Sequence, residues 1–325
     1  MLLTVDTGTT NTRVRLLQGE EILAEKYAHV GVRDTAAAGS KGPLQNAVHG
    51  AIRDILKEND VREAEVSVIL ASGMITSNLG LYELKHVTAP ASPQDLADGG
   101  VLVCLPEIST IPFFFVPGVR NNGPASLETI DAMDMMRGEE AEAFGMLKLS
   151  REAGPLVAVL PGSHTKLVEI GETGRIMSCE TTLSGEMIAS LSQNTILKDS
   201  VQACRNFDED LLHMGFRYSR GHGLNKACFR VRLMDVQLQE SKERAFSFLA
   251  GAVLAGDIGL ICEKAERGLR VLVGGTGPLR RMFLSLLQSV LPGQVTGLRE
   301  EDAAVCPVQG ALEVWRCRRE SKTKK

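Results

Sequence analysis

The sequence predicts a duplicated α/β fold, two halves of like design with a ligand cleft between them, and three observations lead there. The chain has 325 residues, more than one hydrophobic core usually serves. It opens with three short β-rich runs, at 2–5, 13–17 and 21–29, each separated from the next by turn residues. The same order restarts after Pro155, with runs at 156–160, 166–170 and 175–181. The boundary falls at 151–155 and gives domains 1–150 and 151–325.

In the first half the meander leads to a helix at 44–58, a buried strand at 66–70 and a further strand at 111–116. A helical acidic segment covers 127–147, and Gly138 interrupts or starts a helix there. In the second half helices dominate as far as 267. A largely buried strand at 269–273 then ends in Gly274-Gly275, and a helix starts from Pro278, which suits a first helical turn. The last helix covers 308–316, with Pro307 at its start. The run at 246–261 carries Ala and Gly on one helical face and reads as core. No repeat of solenoid length and no low-complexity segment occurs.

Composition excludes several classes of function. With 44% hydrophobic and 23% charged residues the chain reads as an ordinary soluble globular protein. A formal charge of -4 gives no electrostatic reason to expect nucleic-acid binding. The seven cysteines are scattered without a CxxC pair, the pattern of reduced thiols in the cytosol. The six histidines show no metal-ligand spacing, so no zinc site is expected. Asp6 cuts short the apolar start, against a signal peptide, and the longest greasy run, 245–256, stops at Asp257, short of a bilayer span. The basic tail Lys322-Thr323-Lys324-Lys325 reads as a solvated end. A cytoplasmic protein acting on a small molecule is expected, with no nucleic-acid or membrane partner; a homo-oligomer is left open.

Three turns carry the chemistry. Asp6-Thr7-Gly8-Thr9-Thr10-Asn11-Thr12-Arg13 lies between two strands. Gly8 can take a positive φ, and the backbone N–H groups and small polar side chains that follow can face a bound anion. Asp6 at the mouth of the turn suits Mg²⁺, which takes few carboxylates and keeps its waters, and Arg13 adds positive charge against phosphate. A plain hairpin whose polar side chains cap their own backbone explains the same residues. No Gly-Lys-Ser/Thr follows, so this is not a P-loop. The second turn, Pro161-Gly162-Ser163-His164-Thr165-Lys166, sits at the equivalent place in the second half and offers hydroxyls, a His and a Lys to the outer phosphates of a nucleotide; a solvated turn is its bland reading. Third, Gly274-Gly275-Thr276 closes a buried strand where backbone can approach a ligand closely.

The order of these three features is similar to phosphate-1, phosphate-2 and adenosine in the sugar kinase, Hsp70 and actin superfamily. Within it, the Asp6–Arg13 turn resembles the opening of the 2-dehydro-3-deoxygalactonokinases. Ser72-Gly73-Met74, Met136-Arg137-Gly138-Glu139-Glu140, Leu160-Pro161-Gly162-Ser163-His164-Thr165-Lys166 and Thr182-Leu183-Ser184-Gly185-Glu186 resemble that family too, in its order. The chain departs from it at Thr7 and Leu167, where the family usually has Trp. The resemblance implies a duplicated ribonuclease-H-like, actin-like ATPase fold in two lobes with a central nucleotide cleft, and ATP with Mg²⁺. It implies transfer of the γ-phosphoryl group to the 6-position of 2-dehydro-3-deoxy-D-galactonate or a close sugar acid. A kinase of another small sugar, or a nucleotide-binding regulatory ATPase, is the alternative.

A carboxylate near the acceptor hydroxyl can orient it and take its proton. The acidic segment offers Asp131, Asp134, Glu139, Glu140 and Glu142. Carboxylates at a helix start are also stabilised by the helix dipole alone. Related sugar kinases place the base at a helix start late in the first lobe, which ranks Glu139 first, with Glu140 and Asp134 behind it. For the substrate, Ser72, Gly73 and Met74 close a buried strand, and Arg120 follows another strand end. Glu186, just after the third strand of the second half, could reach magnesium or sugar, or simply cap its helix.

Overall fold

The structure, a computed structural model, describes residues 1–323; Lys324 and Lys325, the end of the basic tail, lie outside the described residues. The chain divides into two compact units. One is Met1–Glu152 with Gly174–Cys179 and the chain from Val305 on; the other is Ala153–Thr173 with Glu180–Ala304.

In the first unit β1 (Leu2–Thr7), β2 (Thr12–Gln18) and β3 (Glu21–Ala28) form the expected antiparallel meander. Helices α1 (Val32–Ala38) and α2 (Gly42–Glu58) lead to β4 (Ile69–Gly73), which pairs parallel to β1. Then come β5 (Val87–Thr88), α3 (Pro93–Gly99), β6 (Val101–Leu105), β7 (Ser109–Phe115), β8 (Val119–Arg120), β9 (Met135–Met136) and α4 (Glu139–Ser150). The main sheet runs β3-β2-β1-β4-β7-β6, and β5-β8-β9 make a small second sheet. Leu44, Val48, Ile52 and Ile55 recur at helical spacing and bury one face of α2 in the core. Phe113 stacks on Phe115, and Phe115 on Tyr82, with centroids 5.7 and 5.3 Å apart. Strand β4 is buried along its whole length and lies three residues later than the apolar run 66–70 suggests. Its register sets Ser72 beside Asp6 and Gly73 beside Thr7.

The second unit repeats the plan. Strands β10 (Leu156–Leu160), β11 (Thr165–Ile170) and β12 (Ile176–Thr182, whose residues 176–179 group with the first unit) precede α5 (Ser184–Asn194), α6 (Glu209–His222), α7 (Leu224–Val236) and α8 (Lys242–Glu266). Strand β13 (Arg270–Val273), α9 (Gly277–Val290) and β14 (Val295–Gly297) complete it. The order β12-β11-β10-β13-β14 matches β3-β2-β1-β4-β7, with β13 parallel to β10 as β4 is to β1. Helix α8 has 25 residues and is long and apolar enough to cross a membrane, longer than the run 245–256 indicates. It packs instead as the central core helix of this unit, with 78% of its most apolar stretch buried. All seven cysteines are free thiols.

The C-terminal helix differs from expectation. Helix α10 (Glu300–Thr323) begins eight residues earlier than 308, so Pro307 lies inside it and not at its start. Glu300, Glu301 and Asp302 in its first turn favour that earlier start through the helix dipole. From Val305 on, this helix groups with the first unit, although it follows the second in sequence. The cause is close packing. A Cβ on Gly310 would lie 1.7 Å from the Ala141 carbonyl oxygen, and one on Gly145 would lie 1.9 Å from that of Cys306. Trp315 adds a tilted contact with Phe114 at 5.1 Å. Backbone-to-backbone contact with α10 thus holds α4, and with it the carboxylates at the start of α4.

Candidate active site

The first unit gathers its site around the ends of β1 and β4 and the start of α4. Asp6 lies opposite Arg13 on β2 and beside Ser72 on β4. Burial pushes the Asp6 carboxyl above the usual carboxylate range, and the charges of Arg13 and Arg15 oppose that shift. Gly73 has φ 84°, and a Cβ there would stand 3.0 Å from Asp6 Oδ1 and 2.5 Å from the Thr7 carbonyl oxygen. Gly138 has φ 106°, and its Cβ would stand 3.1 Å from Gly73 Cα. Two left-handed glycines therefore let the first turn of α4 approach the end of β4 beside Asp6, a contact any side chain would block.

That first turn carries two neighbouring carboxylates in different states. Glu140 is fully buried, and both of its oxygens accept from the Gly138 N–H, at 2.8 and 2.9 Å. Burial, reinforced by the charge of Glu139, pushes its carboxyl up to about 8. Glu139 is partly exposed and accepts from the Arg137 N–H at 3.0 Å. Arg137, which the sequence left without a role, donates to Thr76 Oγ1 at 2.9 Å and to the Leu84 carbonyl at 2.6 Å, tying the site to the segment after β4.

Glu140 makes stability pH-dependent. The unfolded chain releases this proton near 4.5, whereas the folded protein holds it to about 8. Across that window the folded state binds more protons, so stability falls as pH rises through it. Glu140→Gln keeps an acceptor for Gly138 but never ionises. Between about pH 5 and about pH 9 the variant should lose less thermal stability than wild type, by roughly 5 °C or more in Tm. Equal slopes in pH-dependent thermal unfolding would refute the assignment.

The phosphate-1 turn is built without the left-handed φ expected at Gly8, which is absent from the positive-φ residues. The Gly8 N–H donates to the Asn11 carbonyl at 2.8 Å, while the carbonyls of Gly8 and Thr9 accept from Val32 and Arg33 at the start of α1. The N–H groups of Thr9 and Thr10 take no part in these bonds. Thr9, Thr10 and Asn11 are exposed. Arg13 does not project into the turn: its guanidinium lies 4.5 Å from the centre of the Tyr27 ring and 3.8 Å from Glu25.

Asp134, Arg120 and Met74 are further first-unit residues named from the sequence. Asp134 Oδ1 accepts from the Met135 N–H at 2.6 Å, and its carbonyl accepts from Asn121. Arg120 is exposed on β8 and donates to Thr88 Oγ1 at 3.2 Å. Met74 opens the short 3-10 turn that follows Gly73.

In the second unit the turn at 161–166 is clasped by α5. The Glu186 N–H donates to the Ser163 carbonyl at 2.9 Å, and the Glu186 carboxylate lies 2.9 Å from His164 Nε2. Glu186 thus sits on the turn itself. Lys166 is buried and donates to Thr181 Oγ1 at 2.5 Å, while Thr165 Oγ1 lies 2.9 Å from Ser184 Oγ. The Gly274 N–H donates to the Val159 carbonyl, and a Cβ on Gly275 would lie 3.3 Å from Pro161. The glycine pair therefore adjoins the same turn. Thr276 is exposed at the cap of α9. Sequence reasoning missed Asp257, a buried acid on α8 whose Oδ2 accepts from Ser184 Oγ at 2.6 Å. The signal was present as one acidic residue inside an apolar helical run.

Comparison with known proteins bears on the family and the fold. A family model described as 2-keto-3-deoxy-galactonokinase matches residues 6–306. The 2-dehydro-3-deoxygalactonokinase of Escherichia coli K12 is 23% identical over 280 residues, 84% of each chain. A Sinorhizobium meliloti protein given that same name has a structure similar at a TM-score of 0.77, with 21% identity over 96% of both chains. The activator of 2-hydroxyisocaproyl-CoA dehydratase from Clostridium difficile, with bound ADPNP, is similar at 0.52, with 10% identity over 100% of this chain and 97% of its own. At such identities the structural likenesses show a shared fold, the actin-like ATPase and sugar-kinase fold.

Proposed function

We propose that this chain, which belongs to the 2-keto-3-deoxy-galactonokinase family, transfers the γ-phosphoryl group of ATP to the 6-hydroxyl of 2-keto-3-deoxygalactonate in the cytosol. The observation that carries the reading is the corner where Asp6, Ser72–Gly73 and the first turn of α4 meet. It offers one carboxylate suited to a metal and another suited to a hydroxyl proton.

Magnesium fits the donor set. Asp6 is a carboxylate near the end of β1, just before the exposed turn at 8–11, and Mg²⁺ characteristically uses one or two carboxylates beside water and phosphate oxygens. Asp6 would hold it, directly or through water, and the ion would offset charge on the phosphates. The backbone of Gly8, Thr9, Thr10 and Asn11 would orient the phosphates in the first unit, with Arg13 contributing charge beside Asp6. Gly162, Ser163, His164, Thr165 and Lys166 would do so in the second, and Gly274, Gly275 and Thr276 would flank adenosine.

Phosphoryl transfer asks the protein chiefly for positioning and charge neutralisation. Glu139 would accept the proton of the sugar hydroxyl as it attacks. It is the carboxylate of its pair with exposed surface, whereas Glu140 is enclosed with both oxygens committed to Gly138. Ser72, Gly73 and Met74 would bound the sugar pocket, and Arg120 is a further cation for the substrate carboxylate.

Coupled ADP release from MgATP, measured across a panel of sugar acids and neutral sugars, tests the proposal. Strong stimulation by 2-keto-3-deoxygalactonate is expected. Stimulation only by another sugar would keep a kinase and discard this substrate. Nucleotide binding without stimulation by any member of the panel would overturn the kinase reading in favour of a regulatory ATPase.

A further inference from the structure

We propose that Asp257, inside the apolar helix α8, is the positioning residue for the turn at 162–166 and sets nucleotide affinity through Ser184 and Thr165. This rests on the reading of that turn as one that holds phosphates.

Asp257 is 3% exposed in a helix otherwise lined by Ala, Gly, Leu, Val and Ile over the turns around it. Burying a carboxylate is costly unless it is well hydrogen-bonded, so an apolar residue would be the cheaper occupant. Three hydroxyls from three elements surround it. Ser184 Oγ at the start of α5 donates to Oδ2 at 2.6 Å. Ser184 Oγ in turn lies 2.9 Å from Thr165 Oγ1 at the start of β11 and 3.4 Å from Thr182 Oγ1 at the end of β12. Burial pushes the Asp257 carboxyl above its ordinary range, and these hydroxyls act against that shift.

The helix is locked so that Asp257 falls beneath the turn. Asp257 and Lys264 are seven residues apart, about two helical turns, and share a face. Lys264 Nζ bonds Glu169 on β11 at 2.8 Å and Glu180 on β12 at 2.9 Å. Along β11, Thr165, Leu167 and Glu169 alternate onto one face, and Leu167 joins the core that contains Leu254, Ile258 and Ile261 of α8. An ion-paired end and an apolar middle thus fix where the other end stands, and that end carries Asp257. By anchoring Ser184, Asp257 also anchors the first turn of α5, whose Glu186 N–H holds the Ser163 carbonyl. Together with Thr182, Ser184, Met187 and Ser219 it borders a cavity of about 390 Å³, so close packing does not explain its presence.

The test is titration of Asp257→Ala and Ser184→Ala with MgATP by calorimetry, together with steady-state KM values for ATP and for the sugar acid. Both variants should weaken ATP, in Kd and KM, by about tenfold, while the KM for the sugar acid stays within roughly twofold. Because the two act in one chain of hydrogen bonds, the double variant should lose little more than either single one. Unchanged ATP affinity in both folded variants would overturn the proposal, as would a loss of sugar affinity as large as that of ATP. Should Asp257→Ala fail to fold, Ser184→Ala decides alone. The calorimetric Kd needs no turnover, so a wild-type protein that binds ATP without phosphorylating a sugar acid would sink the kinase reading and still test Asp257.

Discussion

Replacement of Glu139 by glutamine is expected to lower kcat by ~10²–10⁴-fold, the usual worth of a positioned general base. The fold should survive. Glu139 is partly exposed, and its bond to the Arg137 N–H needs only an oxygen acceptor, which the amide keeps. Removing its charge also relieves Glu140, whose carboxyl that charge helps push up. The KM for ATP should change little, because the substitution touches proton removal and no phosphate contact. Steady-state kinetics at saturating sugar acid reads this directly. Undiminished kcat would move the base elsewhere, to Glu140 or Asp134.

For Asp6→Asn, transfer should fall by roughly a thousandfold or more, since positioning and charge neutralisation are most of what the protein supplies to phosphoryl transfer. The amide keeps the shape of the side chain beside Gly73 but no longer offers a charged ligand to magnesium. Folding should be nearly unaffected. Burial already works against the charge of Asp6, so its loss removes a cost, and Arg15 retains Glu25 as a partner. Raising magnesium should not restore the rate. Wild-type turnover in a folded Asp6→Asn protein would remove Asp6 from the metal site.

Both predictions begin from residues visible in the sequence, and the fold behind them was largely visible too. The two meanders are local patterns, short β-rich runs broken by turn residues, and local patterns survive folding wherever the tertiary structure does not oppose them. The glycine pair after β13 and the helix that follows it were legible for the same reason. Strand β4 was found, with its frame three residues early. Its frame follows its register against the parallel partner β1, a long-range pairing that the apolar run by itself does not show.

The site was legible as a set of motifs and illegible as a set of roles. Glu139 and Glu140 are adjacent acids at a helix start, and nothing in their order separates them. Successive residues of a helix point about 100° apart, so one can be enclosed while the next meets solvent, and what encloses it is supplied from elsewhere. Here Gly73 and Gly138 let the helix approach β4, and α10, from the far end of the chain, presses on α4 through Gly145 and Gly310. Asp257 shows the same limit from the other side. In sequence it merely ends a greasy run; in the folded unit it lies under the turn at 162–166, because Lys264, two turns along, is pinned to Glu169 and Glu180. The sequence by itself determined the duplicated meanders, the polar turns and the chemistry those turns can offer. Only tertiary structure decided which carboxylate is buried, which is exposed and which braces a turn, because burial and charge state depend on neighbours that are remote along the chain.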